Sequence, residues 1–364
     1  MRILHVINGE HYAGAERVQD LLALRLLELG YEVGFACIKP DKFPEQRMAK
    51  SAPLYLVPMS SRFDIRAAFK LARIVSEEGY SLVHTHTVRG ALVGRVASVL
   101  ARVPMVHHVH SPAARDTKSS IRNRINTLIE YFSRIGVDRL IPVSKSLGAY
   151  LRSEGVESRK IYVVVNGVPT PEQLMVREVP GSEWVIGCVA LFRPRKGIEV
   201  LIDALAILRG EGFLVRLRAV GGFESADYEA KIMALANRRG VADIIEWVGF
   251  TENVNKELAM MDVFVLPSLF GEGMPMVILE AMAMGVPVVA SEVEGVPEMV
   301  ENGNTGLIVP PGDPVGLAKA LAKVMSDRFD WRGIRKAAYA RQCEKFSDTS
   351  MAKSVAGVYQ DILK

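Results

Sequence analysis

The stretch WVIGCVALFRPRKGIEVLIDALAILRGEGFLVRLRAVGG, residues 184–222, decides the fold. A short run rich in β-branched residues (184–191) leads through a basic turn into a segment with apolar residues at helical spacing (198–212). A second apolar run follows at 214–222. Strand, helix and strand at this spacing make a parallel crossover unit. Downstream the alternation continues through helix DYEAKIMALANRRG (227–240) and strands IIEWVGF (244–250), FVLP (264–267), VVAS (288–291) and GLIVP (306–310).

Upstream, a separate series does the same. Its strands are RILHVI (2–7), EVGFACI (32–38), SLVHTHT (81–87), MVHHVH (105–110), DRLIPVS (138–144) and KIYVVVNGV (160–168). Its helices are AERVQDLLALRLLELG (15–30), DIRAAFKLARIVSEEG (64–79), GALVGRVASVLA (90–101) and SLGAYLRSEG (146–155). The proline-bearing PTPEQLMVREVPGSE (169–183) parts the two series and reads as a linker near residues 171–180. The expectation is an α/β chain of two Rossmann-like, doubly wound domains, 1–170 and 171–345. Ligands of such sheets bind at the carboxyl ends of the strands, which directs the search to a central cleft faced by both domains.

Composition agrees with that plan. The 364 residues are 49% hydrophobic and 24% charged, enough for two cores. Cys37, Cys188 and Cys343 lie far apart with no CxxC pair, which favours a reduced, cytoplasmic compartment. MRILHVINGE is broken by Asn8 and Gly9 and reads as a first strand, not a signal peptide. No uncharged apolar stretch reaches the roughly 18–20 residues of a membrane span. Residues 1–170 carry 24 Lys and Arg against 15 Asp and Glu, and the remainder 21 against 26. The basic first half suits an anionic acceptor or an anionic membrane surface, or is simply a soluble face.

The chemistry concentrates in FGEGMPMVILEAMAMGVPVV, residues 270–289. Pro275 suits a helix first turn, and Gly285 suits its C-terminal stop. Every helical position except Glu280 is apolar or small, so the helix is a buried one. A carboxylate there is costly unless it accepts strong hydrogen bonds. It is either a core glutamate with an internal partner or a grip on vicinal ligand hydroxyls. Glu272 precedes the helix, where acidic charge is favourable and where backbone amides also attract anions. Gly271 and Gly273 let a ligand approach the backbone closely.

Glu272, seven intervening residues and Glu280, set in EGMPMVILEAMAMGVPVVAS, GVPEMV and TGLIVPPGD, resemble the signature of retaining glycosyltransferases of family four. Gly14-Ala15-Glu16, PVSKSL, RPRKGIEVLIDAL, VGFTENV and MMDVFVLPSLFGEGMP match further family motifs in the same order. The resemblance covers nearly the whole chain and implies the GT-B fold, with an N-terminal acceptor domain and a C-terminal nucleotide-sugar domain. It also implies a final helix at 346–364 that crosses back to the first domain.

By the same resemblance Glu280 binds the donor ribose and Glu272 the donor-sugar hydroxyls. Gly273, Met274 and Pro275 line the sugar, and the amides of Met276 and Val277 lie near the diphosphate. Gly249 and Phe250 join the donor-binding set. Lys196 is similar to the diphosphate-binding lysine, although alone it reads as an exposed lysine before a helix-opening glycine. The arginine usual five residues before that lysine is replaced by Leu191; Arg193 is the favoured substitute and Arg195 the other candidate. Glu294 stands where a glycine usually precedes Gly295. No two aspartates are two residues apart, so no metal or other cofactor is expected. Lys196 and Arg193 would stabilise the leaving UDP or GDP instead.

Five of the seven histidines form two clusters, His84/His86 and His107/His108/His110. Strand alternation puts His84 with His86, and His108 with His110. With no carboxylate or cysteine interleaved, a satisfied polar core is favoured over zinc. The resemblance gives His110 the place over the reactive sugar. Gly14, in NGEHYAGAE, either lets an amide approach a ligand or merely turns the chain. The absence of GxGxxG speaks against an NAD enzyme.

Arg62, Arg66, Lys70 and Arg73 recur at helical spacing, and Arg115, Lys118, Arg122 and Arg124 flank a polar segment. These are solvated faces or docking points for a lipid-diphosphate-linked acceptor and an anionic leaflet. Aromatic residues are too few there for nucleic acid. The expected activity is therefore sugar transfer from a nucleotide diphosphate sugar to a glycan or lipid-linked acceptor in bacterial exopolysaccharide or lipopolysaccharide synthesis. A GT-B epimerase or phosphorylase, and a catalytically silent scaffold, are the alternatives.

Overall fold

The computed structural model describes residues 1–12, 14–61, 64–111, 131 and 134–364. The chain forms two compact units: 1–168 with 346–364, and 169–345. In the first, strands Arg2–Ile7 (β1), Glu32–Cys37 (β2), Leu54–Leu56 (β3), Leu82–Thr85 (β4), Met105–Val109 (β5) and Arg139–Pro142 (β6) form a parallel sheet in the order β3-β2-β1-β4-β5-β6. In the second, Trp184–Val189 (β7), Val215–Val220 (β8), Ile245–Gly249 (β9), Val263–Leu266 (β10), Val288–Ser291 (β11) and Gly306–Val309 (β12) are ordered β12-β11-β10-β7-β8-β9. Numbered from its own first strand, the second sheet repeats the first. Both are doubly wound, with switch points between β1 and β4 and between β7 and β10.

The strands at the middle of each sheet are covered on both faces, which is why they read as nearly unbroken apolar runs. Ile3, Leu4, Val6 and Ile7 of β1, and Val263, Phe264 and Val265 of β10, have no exposure. Each such side chain contributes about 1.5–3 kcal/mol through burial. Helix Ile198–Gly210 buries Leu201, Ile202, Leu205 and Leu208 on the second sheet, the spacing that the sequence displays.

Two details depart from the sequence pattern. Leu54–Leu56 adds a three-residue edge strand, too short to show periodicity. KIYVVVNGV, in contrast, forms only two isolated bridges, Leu140↔Ile161 and Val168↔Ser347. Tyr162 N–H reaches Leu140 O at 2.9 Å and Val164 N–H reaches Pro142 O at 3.1 Å, but Pro142 has no N–H with which to continue the ladder.

The segment 171–180 is tied to the second unit. Arg335 donates to Met175 O at 2.6 Å, Tyr339 to Pro171 O at 2.6 Å, and Arg177 pairs with Asp262 at 2.9 Å. Helix Asp348–Leu363 belongs to the first unit, capped by Ser347 and held by Arg25 Nε on Asp348 Oδ2 at 2.8 Å. It buries Tyr359 completely. No helix among the described residues is long and apolar enough to cross a membrane.

Candidate active site

In the second unit, the loops that follow β7, β10 and β11 bring charged groups together. A 3₁₀ turn, Pro194–Lys196, leads to Gly197 at φ 66°, and a Cβ there would lie 2.0 Å from Pro267 O. Only glycine allows helix Ile198–Gly210 to start this close to the end of β10. The turn places Lys196 against Glu272.

Glu272 is 5% exposed and Glu280 4%. Glu272 Oε1 accepts from Lys196 Nζ, from Ser268 Oγ at 2.7 Å and from an Arg195 guanidinium nitrogen at 3.5 Å. Burial alone would raise the Glu272 carboxyl, but Lys196 and Arg195 outweigh it and hold the group below its usual range. Burial also pulls the Lys196 ammonium down, against the opposing pull of Glu272. The carboxylate is thus kept ionised by neighbouring cations.

The guanidinium brought to Glu272 belongs to Arg195, not to Arg193. Arg195 also donates to Gly271 O at 3.0 Å, which aims it inward along the loop. Arg193 instead lies 3.7 Å from Glu224 and is about a quarter exposed. The alternating direction of successive side chains was not decidable from a turn sequence with two arginines around a proline.

Helix Met276–Ala283 begins after Pro275 and buries every residue except Val277. Its end is closed by Gly285 at φ 63°, with Val286 N–H on Ala281 O at 2.8 Å. Glu280 lies in this helix and Glu272 in the loop before it. Gly273, Met274, Pro275 and Met276 are buried at the joint between them.

Glu294 supplies a contact that sequence reading noted only as a departure. Its backbone has φ 29°, a left-handed value that favours glycine. Its Oε2 accepts from Gly271 N–H at 3.0 Å and from Glu272 N–H at 3.1 Å, and Gly295 N–H donates to Glu272 O at 3.1 Å. The loop carrying Glu272 is therefore clamped at three backbone groups. Gly249 ends β9 at φ 78°, and the Phe250 ring beside it is 68% exposed.

In the first unit the expected histidine alternation is seen, and His5 joins it. β1 and β4 pair His5 with His84. His86, His108 and His110 continue the same face, with the His108 and His110 rings stacked at 4.5 Å. His107 faces the other way, onto Thr85 Oγ1 at 2.9 Å. Burial pushes His5 and His110 down to about 3 and His107 to about 4, so these rings are neutral. Gly14, at φ 43°, precedes helix Ala15–Glu28 and is exposed. Burial raises nearby Glu16 to about 7.

Of the basic stripe, Arg66 pairs with Asp64 at 3.0 Å, Arg73 with Glu77 at 2.7 Å, and Lys70 reaches Leu56 O at 3.0 Å. Arg62, Arg115, Lys118, Arg122 and Arg124 lie outside the described residues.

Comparison with known proteins defines the class. Residues 12–172 match the family model Glycosyltransferase Family 4, and residues 183–327 match Glycosyl transferases group 1. The chain carries the paired glycosyltransferase domains of the GT-B class. Among individual proteins, it is 32% identical over 235 residues to a putative colanic acid biosynthesis glycosyltransferase, WcaL, of Salmonella typhimurium, covering 62% of this chain and 57% of that one. It is 30% identical over 229 residues to the amylovoran biosynthesis glycosyltransferase AmsK of Erwinia amylovora, covering 61% and 56%. The chain thus spans little more than half the length of these relatives. In fold it resembles Anabaena HepE in complex with UDP and glucose, with TM-score 0.87 at 22% identity, covering 99% of this chain and all of the other.

Proposed function

We propose that the chain is a retaining, metal-independent glycosyltransferase that uses a UDP- or GDP-sugar. Its acceptor would be a glycan or a lipid-diphosphate-linked glycan of bacterial exopolysaccharide or lipopolysaccharide synthesis. The observation that carries this reading is the set of half-buried Lys196 with buried Glu272 and Glu280 within one turn, loop and helix of the second unit. The relatives' roles in colanic acid and amylovoran synthesis support the acceptor class.

In this reading Glu280 takes the donor ribose and Glu272 the sugar hydroxyls, with Gly273, Met274 and Pro275 against the sugar. The amides of Met276 and Val277 and the Lys196 ammonium receive the diphosphate. As the sugar bond breaks, charge grows on the leaving phosphate, and a fixed cation at that point is worth about 3–4 kcal/mol. Lys196 with a guanidinium supplies that charge where the sequence offers no DxD pair for a metal. In this reading Arg195 stabilises the loop, and Arg193, which lies beside Glu224, serves the phosphate.

Retention itself rests on the likeness of Glu272, Glu280 and their neighbours to the signature of the retaining family; the state of Glu272 bears on whether a covalent intermediate forms. An oxygen already engaged by Lys196, Arg195 and Ser268 is a poor covalent nucleophile. A same-face displacement follows, in which the donor phosphate oxygen takes the acceptor proton. His110, at the carboxyl edge of the first sheet, is assigned a donor hydroxyl. Exposed Ile65 and Phe69, each 57% accessible beside Arg66, support contact with an anionic lipid surface at the inner, cytoplasmic face.

Incubation with a UDP- or GDP-sugar and lipid-linked glycan, followed by NMR of the new linkage, tests this directly. The same anomeric configuration in donor and product is expected. An inverted product overturns the mechanism, and release of free sugar epimer without transfer overturns the activity.

A further inference from the structure

We propose that His86, His108 and His110, in the first unit, form a binding site for a transition-metal ion of the zinc type. One ring nitrogen from each of the three lies within 4.8 Å of the others. His86 Nδ1 and His110 Nε2 are only 3.2 Å apart. Three nitrogens around a tetrahedral ion at the usual Zn–N length of about 2.0–2.1 Å are separated by roughly 3.3 Å, so His86 and His110 already stand at ligand spacing.

The second observation is an unmet need. His108 is 1% exposed, and neither of its ring nitrogens has a hydrogen-bond partner among the described residues. A buried polar group left this way costs about 1–3 kcal/mol, and a neutral imidazole carries one donor and one acceptor. An ion between His86, His108 and His110 would take the acceptor lone pair.

An outer chain fixes the orientation of His86. His86 Nε2 faces His5 Nδ1 at 3.2 Å, His5 Nε2 faces Tyr359 Oη at 3.1 Å, and Tyr359 Oη faces His84 Nδ1 at 2.6 Å. Protons run consistently along this chain in either direction. When His86 Nε2–H donates to His5, His5 donates to Tyr359 and Tyr359 to His84, the His86 Nδ1 lone pair is directed at the proposed ion. Metal-bound histidines are commonly held by such partners. The other triad, His5, His84 and His86, is the poorer candidate because it holds no ring with both nitrogens unmet; only His84 Nε2 lacks a partner there among the described residues. Half-buried His110 gives the chosen triad its route to solvent.

Three imidazoles and no thiolate suit Zn²⁺, Co²⁺ or Ni²⁺. Should His110 serve the donor sugar as proposed above, an ion on its lone pair would silence transfer.

The test is cobalt titration of the full, tag-free chain after chelation, followed by visible absorption and metal analysis. One equivalent of Co²⁺ with tetrahedral d–d bands, displaced by Zn²⁺, is expected. His108→Phe should abolish the bands, and His11→Ala, at an exposed position, should leave them unchanged. Should His108→Phe fail to fold, Tyr359→Phe keeps all three ligands and removes only the outer chain, with about tenfold weaker binding expected. Absence of saturable binding, or equal binding by His108→Phe or Tyr359→Phe, overturns the site. No nucleotide sugar is present, so that failure is distinguishable from failure of the proposed activity.

Discussion

The two sheets share one strand order yet differ in what they bury near their carboxyl edges. The first unit buries imidazoles, which shed their charge: His5 and His110 fall to about 3. The second buries a carboxylate that keeps its charge, because Lys196 and Arg195 hold Glu272 ionised. A doubly wound scaffold thus solves desolvation in two ways, by neutralising the group or by pairing it. Only the paired arrangement offers fixed charge to a ligand.

Acidification should separate the two units most strongly. Six histidines of the first unit have lowered values, so the folded state refuses protons that the unfolded chain accepts below about 6.5. Their stabilising contribution is complete above that pH and is lost as pH falls from about 6.5 toward 3–4. Each costs up to about 1.4 kcal/mol per pH unit. The tryptophans, Trp184, Trp247 and Trp331, all lie in the second unit. Denaturation at pH 7 and pH 5 should therefore show a circular-dichroism transition that weakens more than the tryptophan fluorescence transition. Equal losses by both probes contradict the contrast.

Next in size is Lys196→Met. Removing the fixed cation should lower kcat about 10²–10³-fold. The Glu272 carboxyl should also titrate higher, which NMR of side-chain-labelled glutamate would detect. Unchanged turnover would remove Lys196 from the leaving-group role.

Much of this contrast was legible in the sequence. The periodicity of residues 184–222 and the all-apolar surroundings of Glu280 locate the second sheet and its buried helix from the sequence alone. The clustered histidines at alternate positions locate one face of the first sheet. What stayed hidden depends on long-range packing. His5 carries no local signal, because its partners come from residues 84 and 359. Arg195 and Arg193 are indistinguishable until the turn fixes their directions. Ser268 is one serine among many until its hydroxyl is seen on Glu272.

Glu294 gives a smaller, sharper test. Glu294→Gly relieves the left-handed backbone but deletes the acceptor for Gly271 and Glu272 N–H, whereas Glu294→Gln retains a carbonyl acceptor. We expect about a tenfold loss of kcat/KM for the glycine variant, equivalent to about 1.4 kcal/mol, with substantial recovery in glutamine. A fully active Glu294→Gly protein would show that the clamp does not position Glu272.

The carboxylate buried in helix Met276–Ala283 is proposed to serve a nucleotide sugar. Calorimetric titration of UDP- and GDP-sugars into the wild-type chain and Glu280→Gln tests it most directly. Saturable binding of one donor by wild type, weakened at least about tenfold in Glu280→Gln, is the predicted result, as expected for loss of a charged hydrogen bond. Equal affinity in both proteins, with the fold intact, contradicts the account.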